Sequence, residues 1–253
     1  MFSFLKNHPF AVEAFFETST VLTFAVPKEQ IQHLIPECLE LDTYNGQWAF
    51  LAVAMVQTKA LRPKGFPKLL GNDFFLIGYR TFVRFKTRQG KNLRGLYILK
   101  SETDKKKMKF FGNIFTHYNY STTDIHQKKD NDLIEISSKK SNFKVRMTQQ
   151  VNVDIALPDT SPFANWREAR RFAGPLPFTF TKHASEVLII EGVRKNWDPV
   201  PIRVLECNFS FIENLNFSGL RLASAFIIRN TPYYWKKGKT ELWKQKEGSS
   251  RVF

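Results

Sequence analysis

A tight-turn dipeptide between two apolar segments is the feature that most constrains the fold. Residues 39–44 and 47–58 flank Asn45-Gly46, a dipeptide preferred in two-residue turns of β-hairpins. The second segment contains WAFLAVAMV, which is apolar on both faces and therefore predicts a central strand. Further strands are predicted at 14–26, 74–86, 93–101, 133–137, 143–148, 178–182, 187–193, 202–212 and 220–229.

The composition also favours a folded, sheet-rich chain. Phenylalanine occurs 25 times among 253 residues, and 43% of the residues are hydrophobic, which excludes a disordered protein. We therefore predict an α+β fold that is mainly antiparallel β, with a closed sheet and a few short helices. No apolar run reaches the roughly 18 residues of a membrane-spanning helix. Charged residues and a proline interrupt the N-terminal apolar stretch, so we expect no signal peptide and a cytoplasmic protein.

No internal repeat and no long linker divides the sequence. Residues 1–253 are therefore predicted to form a single domain. Its compact core is expected at about 8–230, and the basic, aromatic tail at about 231–253 is expected to be loosely ordered. Residues 59–73 contain two prolines and two glycines and predict a long loop of the kind that covers a site.

The formal net charge of +15 suggests a partner. A strongly basic surface attracts nucleic acid or anionic lipid at low salt. The lysines are dispersed along the chain, however, and dispersed lysines are typical of a solvated surface. Binding of nucleic acid or of an acidic partner is therefore kept as the alternative function.

Most motifs that carry chemistry are absent from the sequence. It contains no phosphate-binding glycine loop, neither of the Walker type nor GxGxxG, and no GxSxG. The five histidines lack HxH or HExxH spacing, so neither a metal nor another cofactor is expected. His8 precedes a proline near the terminus, and His33 is predicted on a short helix. Surface or capping roles are expected for both.

The segment FFGNIFTHYNY at 110–120 contains the first candidate site residues. A lysine-rich helix is predicted at 102–111, ending at Gly112, and an extended segment at 114–122. Alternation in an extended segment places Thr116, Tyr118 and Tyr120 on one face and His117 on the other. A buried His117 with a pKa near neutrality exchanges protons; the alternative is a structural, hydrogen-bonded histidine.

Arg80 is the best candidate for anion binding. It shares a face of the predicted strand at 74–86 with Phe82 and Arg84. A buried arginine needs an anionic partner, which is either a ligand carboxylate or an internal acid. Residues 105–107 are three consecutive lysines, but successive helical positions point in different directions, so we expect them to be solvated.

Several segments, in their order and spacing, resemble the YqjF-like uncharacterised family of the acetoacetate-decarboxylase-like superfamily. They cover roughly residues 8–230 and are VPKEQIQHLIPECLELDT (26–43), LRPKGFPK (61–68), GYRTFVRF (78–85), RGLYILKSE (94–102), FFGNIFTHYNY (110–120) and RRFAGPLPFTF (170–180). The resemblance implies a cone-like or barrel-like antiparallel sheet around an apolar cavity.

The same resemblance implies that decarboxylase chemistry is missing. The decarboxylases form a Schiff base on a lysine in a Pro-Lys-Lys pattern, where this chain has Phe115, Thr116 and His117. They also use a carboxylate at a position that falls near Leu76 in this chain. Without the amine there is no iminium electron sink, so decarboxylation of that type is not expected.

The leading prediction is therefore a protein that binds a small, partly apolar carboxylate or carbonyl compound in an internal cavity. Arg80 would hold the anion, and Thr116, Tyr118 and Tyr97 would line the wall. Catalysis, where present, would be acid–base work by His117 or a tyrosine. A third hypothesis places the Schiff base on another lysine, such as Lys109 or Lys182.

Overall fold

The computed structural model describes residues 3–148, 155–174, 176–195 and 197–243. Most of these residues lie in strands. The strands are β1 (Val12–Pro27), β2 (Glu40–Leu41), β3 (Trp48–Pro63), β4 (Asn72–Lys86), β5 (Asn92–Thr103), β6 (Tyr120–Thr122), β7 (His126–Asp130), β8 (Leu133–Ser138), β9 (Phe143–Thr148), β10 (Phe178–His183), β11 (Glu186–Arg194), β12 (Val200–Pro201), β13 (Arg203–Phe209), β14 (Arg221–Trp235) and β15 (Lys239–Leu242).

The helices are short and connect or flank these strands. They are α1 (Lys28–Ile31), α2 (Lys106–Phe115), α3 (Trp166–Phe172) and α4 (Ser210–Glu213), with 3-10 turns at Ser3–Asn7, Gln32–Leu34 and Lys68–Leu70. The predicted α+β class, dominated by antiparallel strands, is confirmed. No helix in the described part of the chain is both long enough and apolar enough to cross a bilayer.

The main sheet returns upon itself. Its strands follow the order β14-β1-β3-β4-β5-β10-β11, and β11 pairs back to β14 through residues 192–194 and 233–235. Neighbouring strands in this ring are antiparallel, except that β10 runs parallel to β5. Because side chains alternate along each strand, one set points into the ring and the other points outward.

A second sheet covers part of the outer face of the ring. It has the order β13-β9-β8-β7 and is antiparallel. Its Val145 and Met147 share one buried apolar cluster with Met55 of β3 and Ile77 of β4. The residues that alternate with Met55 and Ile77 therefore face the inside of the ring.

Helices cover the two ends of the ring. At one end, Ala169 and Ala173, in and just after α3, pack with Phe50 and Phe82. At the other end, the last turn of α2 meets the segment before β1, where the ring of Phe115 lies 5.0 Å from that of Phe10. The inside of the ring is thereby enclosed by strands on its sides and by helical segments at its ends.

The predicted hairpin turns at Asn45-Gly46, but its loop and its first arm differ from the prediction. Residues 45–47 separate the bridged pair Tyr44 and Trp48, so the turn is one residue longer than the predicted two-residue turn. Asn45 and Gly46 both have positive φ, at 52° and 68°, as a tight hairpin turn requires. Beyond the Tyr44–Trp48 bridge, however, the first arm leaves β3, and β2 pairs with β4 instead.

Three predictions about loops and helices were wrong. The helix predicted at 102–111 has other bounds. β5 continues to Thr103, and α2 then runs through Gly112 to Phe115. A β-carbon on Gly112 would stand 2.4 Å from the ring of Tyr120, so this glycine permits close packing within the helix and does not end it. Strands β3 and β4 reduce the predicted loop at 59–73 to residues 64–71.

The predicted loosely ordered tail is the third correction. β14 continues to Trp235, and β15 pairs with β11 at residues 239–242. On β14, the rings of Tyr233 and Trp235 pack against that of Phe16 on β1. The last part of the predicted tail, 244–253, lies outside the described residues.

Candidate functional site

A cavity of about 230 Å³ lies inside the ring. Every strand of the ring contributes to its wall, which is mostly apolar. Its aliphatic lining includes Val21, Ala54, Val56, Leu76 and Ile98. These residues belong to the set that points inward from β1, β3, β4 and β5. An apolar cavity with a few polar groups is the usual form of a small-molecule site.

The ionisable lining of the cavity is unbalanced in charge. Among the described residues, it includes the two arginines Arg80 and Arg194 and the histidine His8, but no aspartate, glutamate or lysine. Arginine remains protonated in proteins. The cavity therefore presents two positive charges to whatever occupies it, and the described part of its wall offers no carboxylate to neutralise them.

Arg80 points into the cavity from the middle of β4. Its Nε atom is buried without a hydrogen-bond partner, and within the described chain Arg80 forms no ion pair. Burial lowers the pKa of its guanidinium, while the nearby hydroxyls of Tyr233, Tyr120 and Tyr118 oppose that shift. The groups that act electrostatically in favour of its charge are therefore phenols. An acid that would form the structural ion pair considered for Arg80 is not found among the described residues.

The ion pair is made by the next arginine on the same strand. Arg84 Nε lies 2.6 Å from Asp42 Oδ1, and Arg94 Nε lies 2.6 Å from Asp42 Oδ2. Asp42 itself is fully buried. This triad fixes β2, β4 and β5 outside the cavity and leaves Arg80 as the arginine of β4 that faces it.

Arg194, at the end of β11, was missed by the sequence analysis. Burial lowers the pKa of its guanidinium, and the positive charge of Arg80 lowers it further, whereas Tyr233 opposes the shift. Its guanidinium carbon lies 4.4 Å from the ring centre of Trp197 and 5.5 Å from that of Tyr233. An arginine that ends an apolar strand was the only signal in the sequence, and such arginines usually lie at the surface.

Two tyrosines add hydroxyl groups to the wall. Burial raises the pKa of Tyr118, which hydrogen-bonds to Thr179, and burial raises the pKa of Tyr120 to about 12 although Arg80 opposes that shift. Both phenols are therefore neutral near pH 7. They can donate hydrogen bonds to a ligand oxygen, and both act electrostatically on Arg80.

The structure brings together three of the five sequence-predicted site residues. Arg80, Thr116 and Tyr118 all line the cavity. Tyr97 does not, because Leu96 and Ile98 face the cavity from β5 and Tyr97 points to the opposite side. The predicted alternation of residues 116, 118 and 120 toward one side agrees with the lining, although only the last of them lies in a strand.

His117 is also absent from the cavity lining. Its Nε2 lies 3.1 Å from Asn7 Oδ1, and its ring centre lies 5.0 Å from that of His183. Burial lowers the pKa of His117, as do the neighbouring His183 and Lys6. This geometry matches the alternative of a hydrogen-bonded histidine, and it keeps His117 away from any ligand in the cavity.

The histidine that lines the cavity is His8, for which a surface or capping role was predicted. Its backbone N–H donates to the carbonyl of Phe115 at 3.2 Å, and its carbonyl accepts from Gly238 N at 2.9 Å. Burial lowers the pKa of its imidazole to about 4, and its Nδ1 has no hydrogen-bond partner among the residues that the structure describes. His8 is therefore a neutral imidazole at the cavity wall near pH 7.

The lysines considered for a Schiff base lie outside the cavity. Lys109 is exposed on α2, and Lys182 Nζ lies 3.1 Å from Glu37 Oε1. Thr116, at the position matched to the decarboxylase lysine, donates its hydroxyl to the Gly112 carbonyl at 2.8 Å.

The structure also shows no group of three or more potential metal ligands in the part of the chain it describes.

Solved structures with the same fold include decarboxylases. Acetoacetate decarboxylase from Legionella pneumophila subsp. pneumophila str. Philadelphia 1 matches with a TM-score of 0.63 and 11% identity, over 92% of this chain and 87% of that chain. An acetoacetate decarboxylase-like enzyme from Sphingomonas wittichii RW1 matches with a TM-score of 0.56 and 10% identity, over 95% and 94%. At these identities the likeness shows the fold alone.

The sequence itself is similar to that of the uncharacterized protein YqjF from Bacillus subtilis (strain 168). The two are 29% identical over 132 residues, which span 52% of this chain and 52% of YqjF, about half the length of each. Residues 14–237 match the family DUF2071, described as "Uncharacterized conserved protein (COG2071)". This match covers most of the chain, and the chain therefore belongs to the DUF2071 family.

Proposed function

We propose that the protein binds a small, partly apolar carboxylate or carbonyl compound inside the ring of strands, which acts as a closed barrel. The observation that carries this proposal is the pair Arg80 and Arg194, two cationic side chains on one apolar cavity whose described wall contains no acid. The aliphatic residues receive the apolar part of the ligand, and the arginines receive its oxygens.

The energetics favour an anionic ligand. Burying a charge without a partner costs several kcal/mol. Within the described chain Arg80 has no acidic partner, whereas Arg194 packs on Trp197 and Tyr233 and makes a long hydrogen bond to the Leu176 carbonyl. A carboxylate supplies the missing partner, since a guanidinium donates two parallel hydrogen bonds to its oxygens. The neutral hydroxyls of Tyr118 and Tyr120 add further donors for a ligand oxygen.

The cavity volume limits the size of the ligand. At about 230 Å³, it lies below the roughly 300–1,000 Å³ of pockets for drug-sized molecules. A short-chain or monocyclic acid fits this limit. The Legionella neighbour, by its name, acts on acetoacetate, a small keto carboxylate, and a ligand of that chemical class suits the charge and volume found in this chain.

The proposed chemistry excludes an amine nucleophile. No lysine is found in the described lining, and Thr116 replaces the lysine at the matched position. If a reaction follows binding, the neutral imidazole of His8 or a tyrosine hydroxyl transfers the proton. His117 does not reach the cavity and acts in this proposal only by holding Asn7.

A thermal-shift screen with two matched arginine variants tests the proposal. The panel contains small keto acids, simple carboxylates and aromatic acids. A ligand at about 100 times its dissociation constant adds about 2.7 kcal/mol, which raises the midpoint by on the order of 2–4 °C per kcal/mol in a chain of this size. We expect a shift with the wild-type protein and none with Arg80→Gln.

Arg84→Gln is the matched control on the same strand. It should lower the free energy of unfolding by about 1 kcal/mol, because it weakens the buried triad with Asp42, yet it should keep the ligand shift. Arg80→Gln should leave stability unchanged or raise it, because it removes a buried charge that has no acidic partner within the described chain. The proposal is wrong if no acid shifts the wild-type midpoint, or if Arg80→Gln keeps the full shift.

A further inference from the structure

Two exposed segments combine large apolar side chains with lysines. One is the loop at 64–71 between β3 and β4, and the other is residues 105–111 at the beginning of α2. We call these two segments the apolar-lysine rim. Its apolar members are Phe66, Leu69, Leu70, Phe110 and Phe111.

The rim contains the most exposed large apolar side chains in the described part of the protein. Leu69 is 95% exposed, Phe110 63% and Leu70 61%. Isolated exposed apolar residues are normal on a protein surface, but a concentration of them marks a contact with another phase or molecule. Their concentration in two short segments therefore points to an interaction surface.

Strand pairing places both segments at the same end of the ring. Lys64 N donates to the carbonyl of Ala11 at 2.9 Å, and His8 N donates to the carbonyl of Phe115 at 3.2 Å, so residues 8–11 connect the loop to α2. On the next strands, Leu76 pairs with Thr103. The beginning of β4, directly after the loop, therefore adjoins the end of β5, directly before α2.

The charge of the rim has a single sign. Residues 64–71 and 105–111 contain six lysines and no acidic residue, and all six lysines are exposed. Asp104, directly before the second segment, has its Oδ2 3.3 Å from Lys105 Nζ. A surface that combines exposed Leu and Phe with lysines suits an anionic bilayer, where apolar side chains enter the interface and lysines meet the lipid head groups.

The rim adjoins the cavity. Phe111 is 41% exposed and also lines the cavity, as do Met108 of α2 and Leu61 of β3. An apolar compound dissolved in a membrane would therefore meet the cavity wall at the same end that contacts the lipid.

We propose that the apolar-lysine rim binds the surface of an anionic lipid bilayer. The lysines favour anionic over zwitterionic lipid, because their charges are complementary to anionic head groups. The exposed leucines and phenylalanines favour lipid over nucleic acid, because binding of nucleic acid would use the lysines and not these apolar side chains. This proposal does not depend on the ligand of the cavity, since contact with the bilayer uses outward-facing side chains.

Vesicle co-sedimentation of the purified full chain tests the proposal. The probes are vesicles of equimolar phosphatidylglycerol and phosphatidylcholine, and vesicles of phosphatidylcholine alone. We expect binding to the first and at least tenfold weaker binding to the second. Each removed lysine should lower the partition coefficient about fivefold, so Lys106→Gln with Lys107→Gln should lower it by more than tenfold.

The apolar part of the rim has its own test and matched controls. Leu69→Ser with Leu70→Ser should weaken binding to the anionic vesicles at least fivefold. Leu205→Ser on β13, exposed but on the second sheet, and Lys128→Gln with Lys129→Gln on β7 should have less than a twofold effect. Arg80→Gln should bind vesicles like the wild type, which separates this proposal from that of the cavity.

Three results would overturn the proposal. The first is wild-type protein that stays in the supernatant with anionic vesicles at low salt. The second is a control variant that loses as much binding as the rim variants while all retain the wild-type circular dichroism spectrum. The third is binding to a short DNA duplex as tight as to the vesicles and unchanged by Leu69→Ser with Leu70→Ser, which would assign the lysines to nucleic acid.

Discussion

The guanidinium of Arg80 lies directly over Gly78. A β-carbon at residue 78 would stand 2.7 Å from Arg80 Nε and 2.9 Å from its Nη2. Both side chains would point toward the same face of β4, since they are two residues apart. The missing side chain of Gly78 is therefore what gives the cationic group its position on the cavity.

Gly78→Ala should displace the Arg80 guanidinium and abolish most of the ligand-induced thermal shift. The fold should persist, with the free energy of unfolding within about 1 kcal/mol of the wild type, because the end of a flexible side chain can move. Ala54→Gly is the control, since Ala54 is the cross-strand partner of Gly78 and lines the same cavity. It should keep the shift; equal shifts in both variants would argue against this role of Gly78.

Asp42→Asn should destabilise the protein by about 2 kcal/mol, because it removes the carboxylate shared by Arg84 and Arg94 from a fully buried position. Urea denaturation measures the difference. Glu37→Gln provides the comparison, since its ion pair with Lys182 is half-exposed and should contribute less than about 1 kcal/mol. Equal losses in the two variants would contradict the structural role of the triad.

Stability should depend on pH through His8. Its folded pKa is about 4, against the ordinary 6.5, so between these values the unfolded chain binds a proton that the folded chain does not. The free energy of unfolding should therefore rise with pH from 4 to 6.5 and be lost as the pH falls through that window. The full loss is on the order of 3 kcal/mol.

His8→Asn is the variant for this measurement, because His8 has a φ of 52° and asparagine tolerates that region. Urea denaturation at several pH values should show a flatter profile for His8→Asn than for the wild type. His117→Gln leaves His8 in place, so its free energy of unfolding should keep the part of the pH dependence that His8 contributes. A profile for His8→Asn as steep as that of the wild type would show that another group titrates in this window.

Borohydride reduction in the presence of acetoacetate should leave the mass of the wild-type protein unchanged, because no lysine is found in the described cavity lining. Thr116→Lys should introduce an amine there, whose pKa burial and the two arginines would lower. Mass spectrometry should detect a reduced adduct at residue 116 in this variant. An adduct on a native lysine would revive the Schiff-base hypothesis.

Local patterns in the sequence predicted the strands better than their connections. The Asn45-Gly46 turn and the central strand β3 followed from residues that are neighbours in sequence. The pairing of β2 with β4, and of the chain after Thr231 with β1 and β11, depends on partners distant in sequence. The alternation of apolar and polar residues along a strand does not identify such partners. The chain after Thr231 was therefore predicted to be loosely ordered, although it forms paired strands.

The candidate site was predicted in part for the same reason. Arg80 was found because it alternates with apolar residues on a strong strand. Arg194 and His8 were missed because segments far away in sequence help to bury each of them: Tyr233 of β14 packs against the first, and the end of α2 lies against the second. Tyr97 was assigned to the wrong face, since its strand reads as apolar on both sides.

The ring of strands has a narrow seam. β1 and β14 pair along nearly their whole length, whereas β11 and β14 pair only at residues 192–194 with 233–235. Arg194 and Tyr233 are direct partners in that seam, and both line the cavity. The β5–β10 junction also has three residue pairs, so these are the two shortest junctions of the ring. Opening of the β11–β14 seam would separate Arg194 from Tyr233, and an anion held between Arg80 and Arg194 would therefore slow amide hydrogen exchange there.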